Sequence, residues 1–149
     1  MGNAIVRALK AEDHAVWKEL WRGYIEFYKA ELPESIYQLT WNRILDPDYN
    51  QYGLAVIYDG QIQGMTHYSY QNSTWAETSV CYLEDLFVNP EVRGAGLGRA
   101  LIDEVKRIAV ANDCQRLYWN TDRSNATARK LYDSYISESG KVQYRIPLK

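Results

Sequence analysis

The stretch Leu83-Glu84-Asp85-Leu86-Phe87-Val88-Asn89-Pro90-Glu91-Val92-Arg93-Gly94-Ala95-Gly96-Leu97-Gly98 decides how the rest of the chain is read. Its apolar first part suits the end of a strand running from about Thr78 to Val88. Beyond it, Leu97, Leu101, Val105 and Ile108 recur along one face from Gly96 to Ala111, which predicts a helix. Gly94, Gly96 and Gly98 therefore fall between a strand and a helix, where several backbone N–H groups can converge on one anion. Arg93 and Arg99 add charge at the two ends of the loop, and a pyrophosphate fits this better than a single phosphate.

Two other glycine-loop readings fail on spacing. A Walker A loop needs Gly-Lys-Ser/Thr, whereas Gly98 is followed by Arg99-Ala100. A dinucleotide fold places its glycines after the first strand of a βαβ repeat, whereas two helices and a hairpin come first here. What survives is a nucleotide-pyrophosphate site of another class.

Working outward, Leu117 to Asn120 reads as a strand, Ser124 to Tyr135 as a helix and Val142 to Ile146 as a closing strand. On the N-terminal side, Ile5 to Leu9 reads as an opening strand. From about Ala11, Trp17, Leu20, Trp21, Tyr24 and Tyr28 recur at helical spacing. Ile36, Leu39, Trp41 and Ile44 mark a shorter helix, with Pro33 in its first turn, ending before Asp46-Pro47. Leu54 to Tyr58 and Gln61 to Tyr70 flank Asp59-Gly60, a dipeptide suited to the positive φ angles of a two-residue hairpin turn. The order β, α, α, β, β, β, α, β, α, β is that of an α/β domain with a mixed sheet, the hairpins giving way to a strand–helix–strand unit over Tyr82 to Asn120.

Composition agrees with one domain. The chain has 149 residues, 46% of them apolar, enough to bury a core without disulfides or metal. A formal net charge of −2 with dispersed basic residues suggests neither a nucleic-acid footprint nor a membrane-surface patch, and points to a small-molecule partner. Cys81 and Cys114 stand apart without metal-site spacing, as thiols of a reducing compartment do. No run is apolar enough to span a bilayer, and a cytoplasmic location is expected.

The run from Leu83 to Gly98 closely resembles the signature of the GNAT superfamily of N-acetyltransferases, whose acetyl-CoA loop reads Arg/Gln-x-x-Gly-x-Gly/Ala. The resemblance extends to Tyr118-Trp119-Asn120 and to Asn125-Ala126-Thr127-Ala128-Arg129-Lys130-Leu131-Tyr132, and covers the C-terminal two-thirds. It implies the acyl-CoA N-acyltransferase fold, with acetyl-CoA as co-substrate and no metal. It further implies that the backbone of Leu86, Phe87 and Val88 holds the pantetheine arm, and that Arg93, Gly94, Ala95, Gly96, Leu97, Gly98 and Arg99 cradle the pyrophosphate. Asn125, with Ala128 beside it, matches the asparagine that contacts the pantetheine arm. Tyr132 matches the tyrosine that protonates the departing thiolate.

An amine must lose a proton before it attacks a thioester, so a base is wanted. Glu84 is the expected base. Asp85 is its neighbour and His67 on the preceding strand is a rival, and ordered water is a further route. Adjacent strand residues face opposite sides, so at most one of the two acids points at the substrate unless a bulge intervenes. The nearest resemblance is to the histone and polyamine acetyltransferases, including spermidine/spermine acetyltransferase, which implies a primary-amine or cationic acceptor. Trp21, Tyr24, Tyr28, Tyr37 and Trp41 with Glu26, Glu31 and Glu34 could form an alkylammonium site or simply a core stripe and a solvated face. Acetylation of a protein amine and a catalytically silent acyl-CoA-binding module are the alternative functions. A homodimer is expected, with Val142 to Ile146 closing the sheet or exchanging with a second subunit.

Overall fold

A computed structural model describes residues 3–149. The chain divides into two compact units, one ending at Trp119 and the other comprising Asn120–Lys149. In the first, β1 (Ala4–Ala8), β2 (Tyr52–Tyr58), β3 (Gln61–Gln71), β4 (Val80–Val88) and β5 (Leu117–Tyr118) form one sheet in that order. Neighbouring strands are antiparallel except β4 and β5, which are parallel and joined by α3 (Leu97–Ala111). The expected mixed α/β architecture is therefore observed.

Helices α1 (His14–Phe27) and α2 (Glu34–Leu45) lie between β1 and β2 in the chain. They bury Trp17, Leu20, Trp21, Tyr37 and Trp41 against Ala55 of β2 and Met65 of β3. Pro33 is the extended residue capping α2, just outside its first turn. Helix α3 covers the opposite face with Leu97, Leu101, Ile102, Val105 and Ala109. Covering both faces makes Leu54, Ala55 and Val56 buried in succession, which is why β2 reads as an unbroken apolar run. The hairpin turn has Asp59 at φ 51° and Gly60 at φ 79°, the positive pair that Asp-Gly predicts.

The second unit holds α4 (Ala126–Asp133), two residues shorter at each end than expected. The closing strand is absent: 136–149 has no helix or strand. Val142, Tyr144, Ile146 and Leu148 are 63–92% exposed there. Alternating apolar residues carry the strand pattern, but a strand needs a ladder partner, and this segment has none.

Candidate active site

The β3–β4 ladder pairs Met65 with Phe87, Thr66 with Leu86 and His67 with Asp85, then resumes with Tyr68 opposite Leu83. Glu84 is thus the extra residue of a β-bulge, opposed to nothing on β3. An inserted residue breaks the alternation that would have sent Glu84 and Asp85 to opposite faces. Glu84 is exposed, while Asp85 is only 15% exposed at its side chain. The backbone around the bulge is held: Tyr24 of α1 donates its hydroxyl to the Glu84 carbonyl at 3.4 Å, and Thr66 Oγ1 donates to the Asp85 carbonyl at 2.7 Å.

Solvent reaches Glu84, yet its carboxyl is partly desolvated. That desolvation, reinforced by the Asp85 charge and opposed by His67, raises its pKa above the ordinary glutamate range. A carboxyl with raised proton affinity suits taking a proton from an ammonium group better than an ordinary one does. His67 is 7% exposed and has both ring nitrogens occupied. Trp17 Nε1 donates to Nε2 at 2.8 Å, and Nδ1 lies 2.8 Å from Asp85 Oδ2. With no lone pair left for a substrate proton, His67 does not serve as a direct base in this arrangement.

Beyond the bulge, β4 has a free side. Its pairing with β5 is confined to Cys81–Leu117 and Tyr82–Tyr118, so the two parallel strands part after Tyr82. From Leu83 to Val88 the ladder runs to β3 alone. The N–H and C=O groups of Leu86 and Val88 face this free side and are ready partners for an amide-bearing arm, while those of Phe87 face β3. The wedge between the strands arises because β5 is only two residues long, whereas the sequence predicts four.

The glycine loop follows directly. Asn89 accepts the Glu91 amide, donates its own amide to the Gln63 carbonyl at 2.7 Å, and so tethers the loop to β3. Arg93 is exposed. Gly94 and Gly96 adopt φ 87° and 77°, and a Cβ at either would meet no protein atom within 4 Å. Their conformation, rather than packing, requires glycine, and the space above them is open to a ligand. Gly96 is the N-cap of α3 without a side-chain cap, so the helix N-terminus is left for another group to cap, as an anion can do. Open backbone, left-handed glycines and a helix N-terminus together fit a nucleotide pyrophosphate.

In the second unit Asn125 is the N-cap of α4: its Oδ1 accepts the Ala128 amide at 3.4 Å, while Nδ2 faces Thr121 Oγ1 at 3.4 Å. Part of its side chain is therefore spent on capping, a signal the Asn-x-x pattern before a helix carries. Tyr132 lies in the last turn of α4.

The aromatic residues separate into two sets. Trp21, Tyr37 and Trp41 are buried core, with Trp17 4.7 Å from Trp41 and Trp21 5.1 Å from Tyr37 between ring centroids. Lys18 and Arg22 bind Glu34 at 2.5 and 2.6 Å, and both lie over the Tyr37 ring, so these groups answer one another. Half-buried Tyr24 of α1 lies 4.9 Å from exposed Tyr28 at the helix's C-cap, and only Tyr24 reaches β4, through the Glu84 carbonyl. Burial pushes the Cys81 thiol up to about 12, which leaves no thiolate for covalent catalysis there at neutral pH. Among the described residues no group of three or more His, Cys, Asp or Glu could hold a metal, and no helix is long and apolar enough to cross a membrane.

A strand with an open edge, a bulge presenting a carboxyl beside it and a glycine cradle at its end are features that an acyl-CoA-dependent N-acyltransferase can use. The chain belongs to the acetyltransferase (GNAT) family, whose model matches residues 14–135, and it is an acetyl-CoA-dependent N-acetyltransferase. It is 32% identical over 144 residues to the D-amino-acid N-acetyltransferase HPA3 of Saccharomyces cerevisiae, covering 95% of this chain and 89% of that one. It is 38% identical over 69 residues to the thialysine N-epsilon-acetyltransferase of Bos taurus, spanning 46% of this chain and 39% of the relative. The fold matches that of the aminoglycoside N-acetyltransferase AAC(6')-Iy in complex with CoA, with a TM-score of 0.84, 19% identity, and 100% and 97% of the two chains covered.

Proposed function

We propose that this protein acetylates the primary amine of a small molecule, polyamine-like or amino-acid-like, by direct attack on acetyl-CoA in a ternary complex. The observation that carries this is the bulge at Glu84, which sets a carboxyl of raised proton affinity at the start of the free β4 edge. Glu84 takes a proton from the acceptor ammonium. The amine nitrogen then bonds to the thioester carbonyl carbon as the C–S bond breaks. Tyr132 donates its phenolic proton to the leaving thiolate, and the second proton lost by the acylated nitrogen restores the phenol. Leu86 to Val88 orient the pantetheine arm, Arg93 to Arg99 hold the pyrophosphate, and Asn125 with Ala128 contacts the arm. Acetyl-CoA supplies the activated acyl group.

The D-amino-acid and thialysine specificities named for relatives support an amine of that size. The two compact units act as one catalytic domain on this reading, a view supported by a family match that runs through both. The raised Cys81 pKa favours direct attack over an acyl-cysteine route. The free cysteines favour a cytoplasmic setting. A homodimer formed through the 142–148 segment is supported by its exposed alternate apolar side chains, which a partner strand would cover.

The test is free-thiol release from acetyl-CoA across a panel of polyamines, D- and L-amino acids and basic peptides. Turnover with a small amine is the expected outcome. Turnover with peptides alone, or acetyl-CoA binding with no turnover on any acceptor, would overturn the proposal.

A further inference from the structure

Position 67 faces a choice that the strand register decides. With Tyr68 opposite Leu83, an unbulged antiparallel ladder would continue with His67 opposite Glu84. Glu84 would then be the histidine's partner, drawn against the buried ring and lost to any substrate. The observed ladder instead inserts Glu84 as the bulge and sets Asp85 opposite His67. Two neighbouring acids compete for one histidine, and the shorter one holds it.

The grip on that histidine is specific. Indole Nε1 can only donate, so the 2.8 Å contact from Trp17 makes His67 Nε2 an acceptor. The ring hydrogen then sits on Nδ1 and is donated to Asp85 Oδ2 at 2.8 Å. The chain Trp17–His67–Asp85 gives both His67 ring nitrogens a partner and crosses from α1 through β3 to β4. The Asp85 carbonyl is gripped as well, by Thr66 Oγ1 at 2.7 Å, so both the side chain and the backbone of the residue after the bulge are anchored. Trp17 in turn is fully buried, stacked on Trp21 and tilted against Trp41, which leaves the donor little freedom to move.

We propose that His67 is a positioning residue for Glu84: clamped by Trp17, it captures Asp85, selects the bulged register and thereby keeps the Glu84 carboxylate free for the acceptor amine. Glu84's role as base belongs to the proposed function, on which this inference rests. The register itself is independent of that role.

The experiment compares the wild type with Asp85→Leu and His67→Phe, reading strand register from cross-strand NOEs and thiol release at saturating acetyl-CoA. In the wild type, ¹⁵N shifts show the Nδ1–H tautomer and NOEs place His67 opposite Asp85. In Asp85→Leu, which keeps the size of the side chain but has no acceptor for the Nδ1 hydrogen, the register moves so that Glu84 faces His67. Its kcat falls roughly a hundredfold, toward that of Glu84→Gln, while the KM for acetyl-CoA stays within about twofold. In His67→Phe the bulge is lost without any new partner for Glu84. An unchanged bulge in both variants overturns the proposal, and Asp85→Leu decides alone where His67→Phe fails to fold. A wild type that turns over no amine refutes the reading of Glu84 as base, while the NOEs still decide the register.

Discussion

Gly23 of α1 lies against the edge of the Phe87 ring: a Cβ placed there would meet Cζ at 3.0 Å and Cε2 at 3.1 Å. The helix and the free-edged part of β4 approach this closely only because position 23 has no side chain. Gly23→Ala gains about 1 kcal/mol in helix propensity against roughly 1–3 kcal/mol of overpacking, and the mobile edge of the Phe87 ring keeps the cost at the low end, so the net loss stays under about 1 kcal/mol. Phe87 must still move, and it belongs to the segment proposed to hold pantetheine. A raised KM for acetyl-CoA with a near-native urea midpoint is expected; an unchanged KM would show that the ring's position does not matter to the cofactor.

Removing the Glu84 carboxylate should separate activity from stability. Glu84→Gln should lose about 10²-fold or more in kcat/KM. The wild-type rate should rise with pH through a midpoint above the ordinary glutamate range, and that limb should vanish in the variant. Because the folded-state pKa is raised, the native protein holds this proton at pH values where the unfolded chain has released it. The group therefore costs stability as pH climbs past the ordinary glutamate pKa. Glu84→Gln should melt higher than wild type at pH 7, with the difference gone at acid pH. A lower melting temperature at pH 7 would contradict the desolvation argument.

Gly96→Val tests the cradle. At φ 77° any other residue is strained by about 1–2 kcal/mol, yet its Cβ would touch no protein atom. The fold should survive and calorimetric CoA binding should disappear. Retained affinity would mean that the pyrophosphate sits elsewhere.

Tyr132→Phe should lower kcat while the acetyl-CoA dissociation constant stays within about twofold. Equal losses in both would make Tyr132 a packing residue.

Asp13 is buried and paired with Arg7 at 2.6 Å, and the Arg7 hydrogen bond holds its carboxyl below the usual range. Its contribution is present above the unfolded aspartate pKa and is lost as pH falls through the lower, folded one. Asp13→Asn should cost about 1–3 kcal/mol at neutral pH, measured by urea unfolding, and progressively less toward acid pH. A pH-independent difference would assign the loss to geometry instead of charge.

The glycine loop, the amphipathic α1 and α3 and the Asp59-Gly60 turn were all legible in the chain, because each depends on local spacing or on backbone angles that few residues adopt. The same is true of the family signature. Val142 to Ile146 shows the limit of such reading: its alternation matches a strand, but pairing depends on a partner that alternation cannot supply. Likewise Trp21, Tyr37 and Trp41 could equally have lined an acceptor site or a core, and only the packing of α1 on α2 and the sheet chose the core.

Glu84 and Asp85 are adjacent, and nothing in their order says which is free. The sequence by itself determined that an acid stands on the strand before a glycine loop, since residue type and spacing suffice for that. Which acid is available was decided by contacts between residues distant in the chain: Trp17 reaches His67, His67 takes Asp85, and the bulge leaves Glu84 unpaired. The parting of β4 from β5 after Tyr82 is of the same kind, because the length of a ladder is a property of two strands together.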